Sequence, residues 1–323
     1  MASARKLAAT SSHRFMKSSF VRQTLGALPQ PECQIEERTV TARSGKAVPF
    51  RVYRPMQTAP AQKPVLVMAH SGGFCMGGFE TEEFTCRLLC RSQDVIVVDV
   101  DYSLTPEAQF PTAVHEYYDV VKWVAHNAAT LGADLSKGFI AAGVSAGGNL
   151  SVHAAYMARD EGLQPPLTGT LFVCTGMPHM LTDVSGKRID LFPGKLVSWH
   201  DNKDVPIGTP ATNDFYGELA GMRADDPLTT PFFYKDHSGL PPVFYQCAGM
   251  DIWRDSAIYY AHLLHQAGSP TRLIVYPGLP HLWAYFYPEI STTQKWVKDL
   301  VAGLGWLLSL QPSPPKSSSG AKL

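Results

Sequence analysis

Three residues stand in an order that could relay a proton: Ser145, Asp251 and His281. A serine alcohol is a poor nucleophile at neutral pH. It needs a base to take its proton, and the base needs an acid to hold its tautomer. Ser145 lies in Gly143-Val144-Ser145-Ala146-Gly147, between the apolar run Gly138-Phe139-Ile140-Ala141-Ala142 and a helix-like stretch from Gly148. A Gly-x-Ser-x-Gly match alone is weak in a chain with 26 glycines. A strand before it and a helix after it make it a nucleophile turn, in which side chains on the flanking residues would clash. Asp251 follows the apolar run Val243–Ala248, and His281 follows Arg272–Tyr276. Of the rivals, Asp255 reads as a first-turn helix residue favoured by the helix dipole, and Glu289 lies beyond the histidine. His153, His262 and His265 fall on helix patterns and read as packed or surface residues.

Attack by serine on an ester carbonyl creates an oxyanion that needs preplaced donors. His70-Ser71-Gly72-Gly73-Phe74 follows the apolar run Val65–Ala69. Glycines there let backbone N–H groups approach a substrate closely. Gly72, Gly73 and Ala146 are the expected donors. Phe74 and Cys75, next to this loop, and Trp283, next to the histidine, are candidates to line the acyl or alcohol pocket. This chemistry calls for no metal and no cofactor.

These residues need a scaffold that brings several strand ends to one edge. Strand-like runs cover Gln34–Thr41, Val48–Tyr53, Val65–Ala69, Val95–Val100, Phe139–Gly143, Thr170–Thr175, Val243–Ala248 and Arg272–Tyr276. Helix-like stretches cover Glu82–Ser92, Thr112–Thr130, Gly148–Arg159, Ser256–Ala267 and Thr292–Leu310, with Ser291 and Gln294 as a capping box for the last. Near-continuous Val/Ile runs such as Val95-Ile96-Val97-Val98 suit strands buried on both faces of a parallel sheet. The alternation predicts an α/β, doubly wound, mostly parallel eight-stranded sheet. Residues 176–238 show no period and are rich in Pro, Gly, Asp and aromatic residues. They read as an inserted cap over the site. The expected organisation is one domain over residues 1–310, capped by about 1–32 and 176–238, with a flexible tail over 311–323.

Several blocks together resemble the hormone-sensitive-lipase-like branch of the α/β-hydrolases, over about Val48 to Leu308. Asp101-Tyr102-Ser103-Leu104-Thr105-Pro106-Glu107 resembles the family's Asp-Tyr-Arg-Leu-Ala-Pro-Glu block, and Phe110-Pro111-Thr112-Ala113 continues it. Leu240-Pro241-Pro242 precedes the acid strand, and Asp251-Ile252-Trp253-Arg254-Asp255 resembles the block whose first aspartate is the triad acid. The resemblance implies the α/β-hydrolase fold, a Ser145–Asp251–His281 triad, an oxyanion hole from the two glycines after Ser71, and a small-molecule ester substrate. Three positions depart from the family: Val144 where it has Asp, Ser71 where it has Gly, and Ser103 where it has Arg. Such a divergent member resembles hydrolases of fungal secondary-metabolite clusters. The same acyl-enzyme also serves acyltransferases and thioesterases, and non-catalytic receptors share the fold but lack the triad histidine.

Bulk properties narrow the partners. The chain has 323 residues, 45% hydrophobic, with 28 basic and 28 acidic side chains, which leaves no electrostatic footprint for nucleic acid. Six cysteines without CxxC spacing read as reduced, mostly buried thiols. No stretch is long and apolar enough to span a membrane, and no secretory h-region is present. Arg5, Lys6, Arg14, Lys17 and Arg22 precede the first acid, which suits either a mitochondrial presequence or a basic arm packed over the site. Ala321-Lys322-Leu323 at the end of a Pro/Ser/Lys-rich tail is a variant of the Ser-Lys-Leu signal, so a peroxisomal import receptor is the expected partner, with the cytoplasm as the alternative location.

Overall fold

The computed structural model describes residues 16–27, 33–56, 62–183 and 185–310. All eight runs read as strands form one sheet. They are β1 (Cys33–Thr41), β2 (Ala47–Pro55), β3 (Val65–Ala69), β4 (Ile96–Val100), β5 (Phe139–Val144), β6 (Gly169–Val173), β9 (Val243–Ala248) and β10 (Thr271–Tyr276). The spatial order is β1-β2-β4-β3-β5-β6-β9-β10. The β1–β2 and β2–β4 pairs are antiparallel and the rest are parallel.

Strand periodicity sorts the core into two layers. Val65, Val67 and Ala69 of β3 face one layer, with α3 (Thr112–Leu131), α4 (Ala146–Asp160) and α7 (Arg254–Gln266). Leu66 and Met68 face the other, with α1 (Ser19–Gly26), α2 (Phe79–Ser92) and α9 (Ser291–Ser309). Both faces are covered by helices, so both parities of the strand must be apolar, which is why the runs read as continuous. The last helix departs from expectation at its start. Ile290 is its N-cap and Ser291 already lies inside it, without a side-chain cap bond. Thr293 instead anchors the turn, its hydroxyl donating to Tyr287 O at 3.0 Å.

Residues 176–238 hold an antiparallel ribbon of β7 (Met180–Thr182) and β8 (Arg188–Asp190), the short helix α5 (Ser198–Asp201) and the helix α6 (Pro210–Ala220). Thr209 caps α6, with its hydroxyl accepting from Thr212 N, and Pro210 opens it. Ala220 is its sole buried residue, so no 3.6-residue apolar stripe marks it in the sequence.

Residues 16–27 of the N-terminal arm differ from the expected roof. Phe20, Val21 and Leu25 are buried in the α2-side layer, Phe20 against Phe84 with centroids 5.9 Å apart, and Ser19 Oγ donates to Glu289. None of these residues lines the cavity described below. An amphipathic helix finds its burial on the nearest apolar layer, and here that is the flank of α2. The rest of the arm, and the tail with Ala321, Lys322 and Leu323, lie outside the described residues. No two of the six cysteines are joined in a disulfide, and all but Cys33 are buried. Among the described residues no helix is long and apolar enough to cross a membrane, and no group of His, Cys, Asp and Glu could hold a metal ion.

Candidate active site

Ser145 occupies the tight turn between β5 and α4, with φ +52° and ψ −116°. A side-chain-bearing residue enters this region only when its surroundings hold it there. Its N–H donates to Val173 O at 2.9 Å, which fixes the turn to β6. The flanking glycines are steric requirements. A Cβ on Gly147 would stand 2.1 Å from Ala69 O, and one on Gly143 would stand 2.2 Å from the Gly147 carbonyl. The start of α4 thus lies directly on the end of β3. Val144, where the resembled family has Asp, is fully buried in the α2-side layer. Its side chain simply continues the core.

Asp251 and His281 come from loops after adjacent strands, β9 and β10. Those loops are tied together, with Gly249 N donating to Tyr276 O at 2.8 Å and Met250 N to Leu279 O at 2.9 Å. Asp251 is buried, and its Oδ1 accepts from Trp253 N at 3.0 Å. Its Oδ2 lies 2.5 Å from His281 Nδ1, and His281 Nε2 lies 2.8 Å from Ser145 Oγ. A carboxylate at Nδ1 places the ring proton there and leaves Nε2 to accept from the serine hydroxyl. The rivals are occupied elsewhere. Asp255 accepts from Val197 N and Ser198 N, and Glu289 accepts from Ser19 and Phe20.

The loop after β3 turns sharply through Gly72 (φ +131°), Gly73 (φ +58°) and Phe74 (φ +64°). Cys75 N and Met76 N donate back to Gly72 O at 3.2 and 3.0 Å. Among the described residues, the backbone N–H groups of Gly72, Gly73 and Ala146 make none of the backbone bonds that build these turns. His70 holds the loop from beneath, its Nδ1 donating to Ser71 O at 2.8 Å and its ring stacked on Tyr102 at 4.1 Å. Burial pushes the His70 imidazole down to about 4, so it is neutral at neutral pH and Nδ1 carries its proton. Ser71 N–H donates to Glu82 Oε1 at 3.2 Å. The other departure in this region, Ser103, donates from N and Oγ to Glu116, both at 2.7 Å. Lys46 Nζ donates to Ser103 Oγ at 2.6 Å, so a cation from the β1–β2 turn meets the serine at this position.

Above these groups lies a cavity of about 430 Å³, lined by Ser145, Ala146, His281 and Gly73 below and by segments of residues 176–238 above. Phe74 lines it, as expected from its place after the loop. Cys75 and Trp283 do not. Cys75 is fully buried with its thiol 3.6 Å from Gly72 O, because the turn rotates it under the loop. Trp283 opens the short helix α8 (Trp283–Phe286), which turns its ring into the core against Tyr276 at 4.9 Å. Tyr216 on α6 and Trp253 after the acid do line the cavity; in the sequence Tyr216 is one of several aromatics of the insertion and Trp253 one residue of the acid block, with nothing to mark either as a pocket residue. The Tyr216 ring covers Gly73 so closely that a Cβ there would fall 2.5 Å from it. The Thr209-Pro210 start of α6 was the available signal for that helix.

A family model described as alpha/beta hydrolase fold matches residues 66–285. The chain is 36% identical to Carboxylesterase NlhH of Mycobacterium tuberculosis, over 79% of this chain and 77% of that one. It is 29% identical to the Versiconal hemiacetal acetate esterase of Dothistroma septosporum, over 88% and 85%. The solved structure of Vibralactone Cyclase superposes with a TM-score of 0.82 at 30% identity, covering 93% of this chain and 89% of that one.

Proposed function

The chain belongs to the alpha/beta hydrolase fold family as an esterase-like enzyme, and we propose that it cleaves a small- or medium-acyl carboxylic ester through an acyl-enzyme on Ser145. His281 takes the serine proton as Oγ attacks the acyl carbon, then returns it to the leaving alcohol. Asp251 orients the imidazole and stabilises it while it is charged. Gly72, Gly73 and Ala146 N–H groups receive the oxyanion, each such donor typically lowering the barrier by ~3–4 kcal/mol. Water, activated by His281, then releases the acid.

The observation that carries this reading is the continuous line from Ser145 Oγ through His281 to Asp251. The similarity to an acetate esterase supports a short acyl group. Ser145→Ala is expected to abolish hydrolysis of a short p-nitrophenyl ester. Near-full activity in that variant overturns the reading. A second reading, acyl transfer to an alcohol or thiol in place of water, draws on the likeness to a protein named as a cyclase. Mass spectrometry of products formed with candidate acceptors separates the two.

A further inference from the structure

Glu82 is a carboxyl that the scheme above does not use. It sits in the first turn of α2, where an acid favours the helix dipole, but Glu80 in the same turn meets that need from solvent. Glu82 is instead fully buried. Burying a carboxyl is costly unless its oxygens are satisfied. Oε1 accepts from Ser71 N at 3.2 Å, and Oε2 accepts from the hydroxyl of Tyr285. Thr85, one turn along α2, lies 3.2 Å from the same Tyr285 hydroxyl. Ser71 immediately precedes Gly72, and Tyr285 lies on α8, the helix that follows His281.

We propose that Glu82 is a positioning residue that clamps the oxyanion loop to the histidine segment, setting the distance between the oxyanion donors and the base. The inference rests on the serine-hydrolase reading above. The clamp's hold on the oxyanion loop is the Ser71 backbone N–H, one residue before Gly72. Donors aimed at a developing charge act only when held to within a few tenths of an ångström. Loosening the clamp therefore weakens transition-state binding and leaves ground-state binding alone.

The test compares full-length wild type with Glu82→Gln and Tyr285→Phe. A fluorophosphonate probe is first applied to the wild type; no labelling of Ser145 overturns the serine-hydrolase reading, and the clamp with it. Burial pushes the Glu82 carboxyl up to about 7, so a near-isosteric amide is a mild change to the fold. Tyr285→Phe breaks the other arm should Glu82→Gln not fold. With labelling established, kcat on p-nitrophenyl acetate is expected to fall about tenfold or more in each variant, with KM within about twofold. Affinity for phenylboronic acid, which forms a tetrahedral adduct on the serine, is expected to fall in step with kcat. Wild-type kcat and wild-type boronate affinity overturn the clamp. So does a raised KM with unchanged kcat, which makes Glu82 a ground-state binding residue.

Discussion

At the scale of single residues, the strained turn at Ser145 depends on the absence of two side chains. The carbonyl of Ala69 belongs to β3 and cannot move away, because that strand is paired on both sides. A methyl group at position 147 would press on it from 2.1 Å. Gly147→Ala is therefore expected to destabilise the fold by about 1–3 kcal/mol, the usual range for overpacking, and to move Ser145 off the His281 line. Urea unfolding reads the first effect, and the rate of fluorophosphonate labelling reads the second. Wild-type values in both measurements contradict this account of the turn. Val144 shows the opposite side of the motif. Its position in the pattern says nothing about polarity, and the apolar layer beneath it decides that a valine is tolerated.

At the scale of elements, β4 carries one residue that its pattern does not explain. Ile96, Val98 and Val100 face one layer and Val97 faces the other, but Asp99 shares the Val97 face and is fully buried. Neither carboxyl oxygen of Asp99 has a hydrogen-bond partner among the described residues. Burial holds its pKa well above the usual carboxylate range, so the folded state keeps the proton. The unfolded chain releases that proton near pH 3.9. Above that pH the folded state binds more protons than the unfolded one, so this residue's contribution falls as pH rises, by up to ~1.4 kcal/mol per unit. Asp99→Asn lacks the slope. Its stability is expected to exceed that of the wild type by a margin that grows as pH rises above about 4, the unfolded carboxyl's range, measured as urea midpoints. Parallel curves contradict a proton held on Asp99.

At the scale of the whole molecule, the cavity is made by two parts of the chain that have no local relation. The carboxyl edge of the sheet supplies Ser145, His281 and Gly73, and α6 of the insertion lays Tyr216 over Gly73. Gly73 has φ +58°, so an alanine there meets both backbone strain and the Tyr216 ring. Gly73→Ala is expected to lower kcat/KM about a hundredfold, in the range for a lost oxyanion donor. Tyr216→Ala removes the ring, and the double variant is expected to recover part of that loss, a non-additivity that marks direct contact. Tyr216→Ala alone is expected to raise kcat/KM for longer acyl esters relative to acetate by about tenfold, the scale of a small change in an apolar pocket. An ester panel of graded chain length measures both effects. Strict additivity, or an unchanged chain-length preference, removes Tyr216 from the site.

The sequence by itself determined the sheet and the order of its chemistry. Eight strand-like runs became eight strands; burial on both faces leaves the five central ones near-continuously apolar, while the edge strand β1 keeps an exposed, polar pattern. Ser145, Asp251 and His281 were legible because each follows a strand, and in a parallel sheet strand ends share an edge. The end of the chain's logic in local pattern is seen at Cys75 and Trp283. Neighbours in sequence of site residues, they point away from the cavity because direction in a turn depends on backbone angles that composition does not record. Only the tertiary structure decided that Tyr216 covers Gly73, that Lys46 and Glu116 support Ser103, and that Glu82 joins Ser71 to Tyr285. These are pairings between distant segments, and periodicity within a segment carries no information about which partner will arrive from elsewhere.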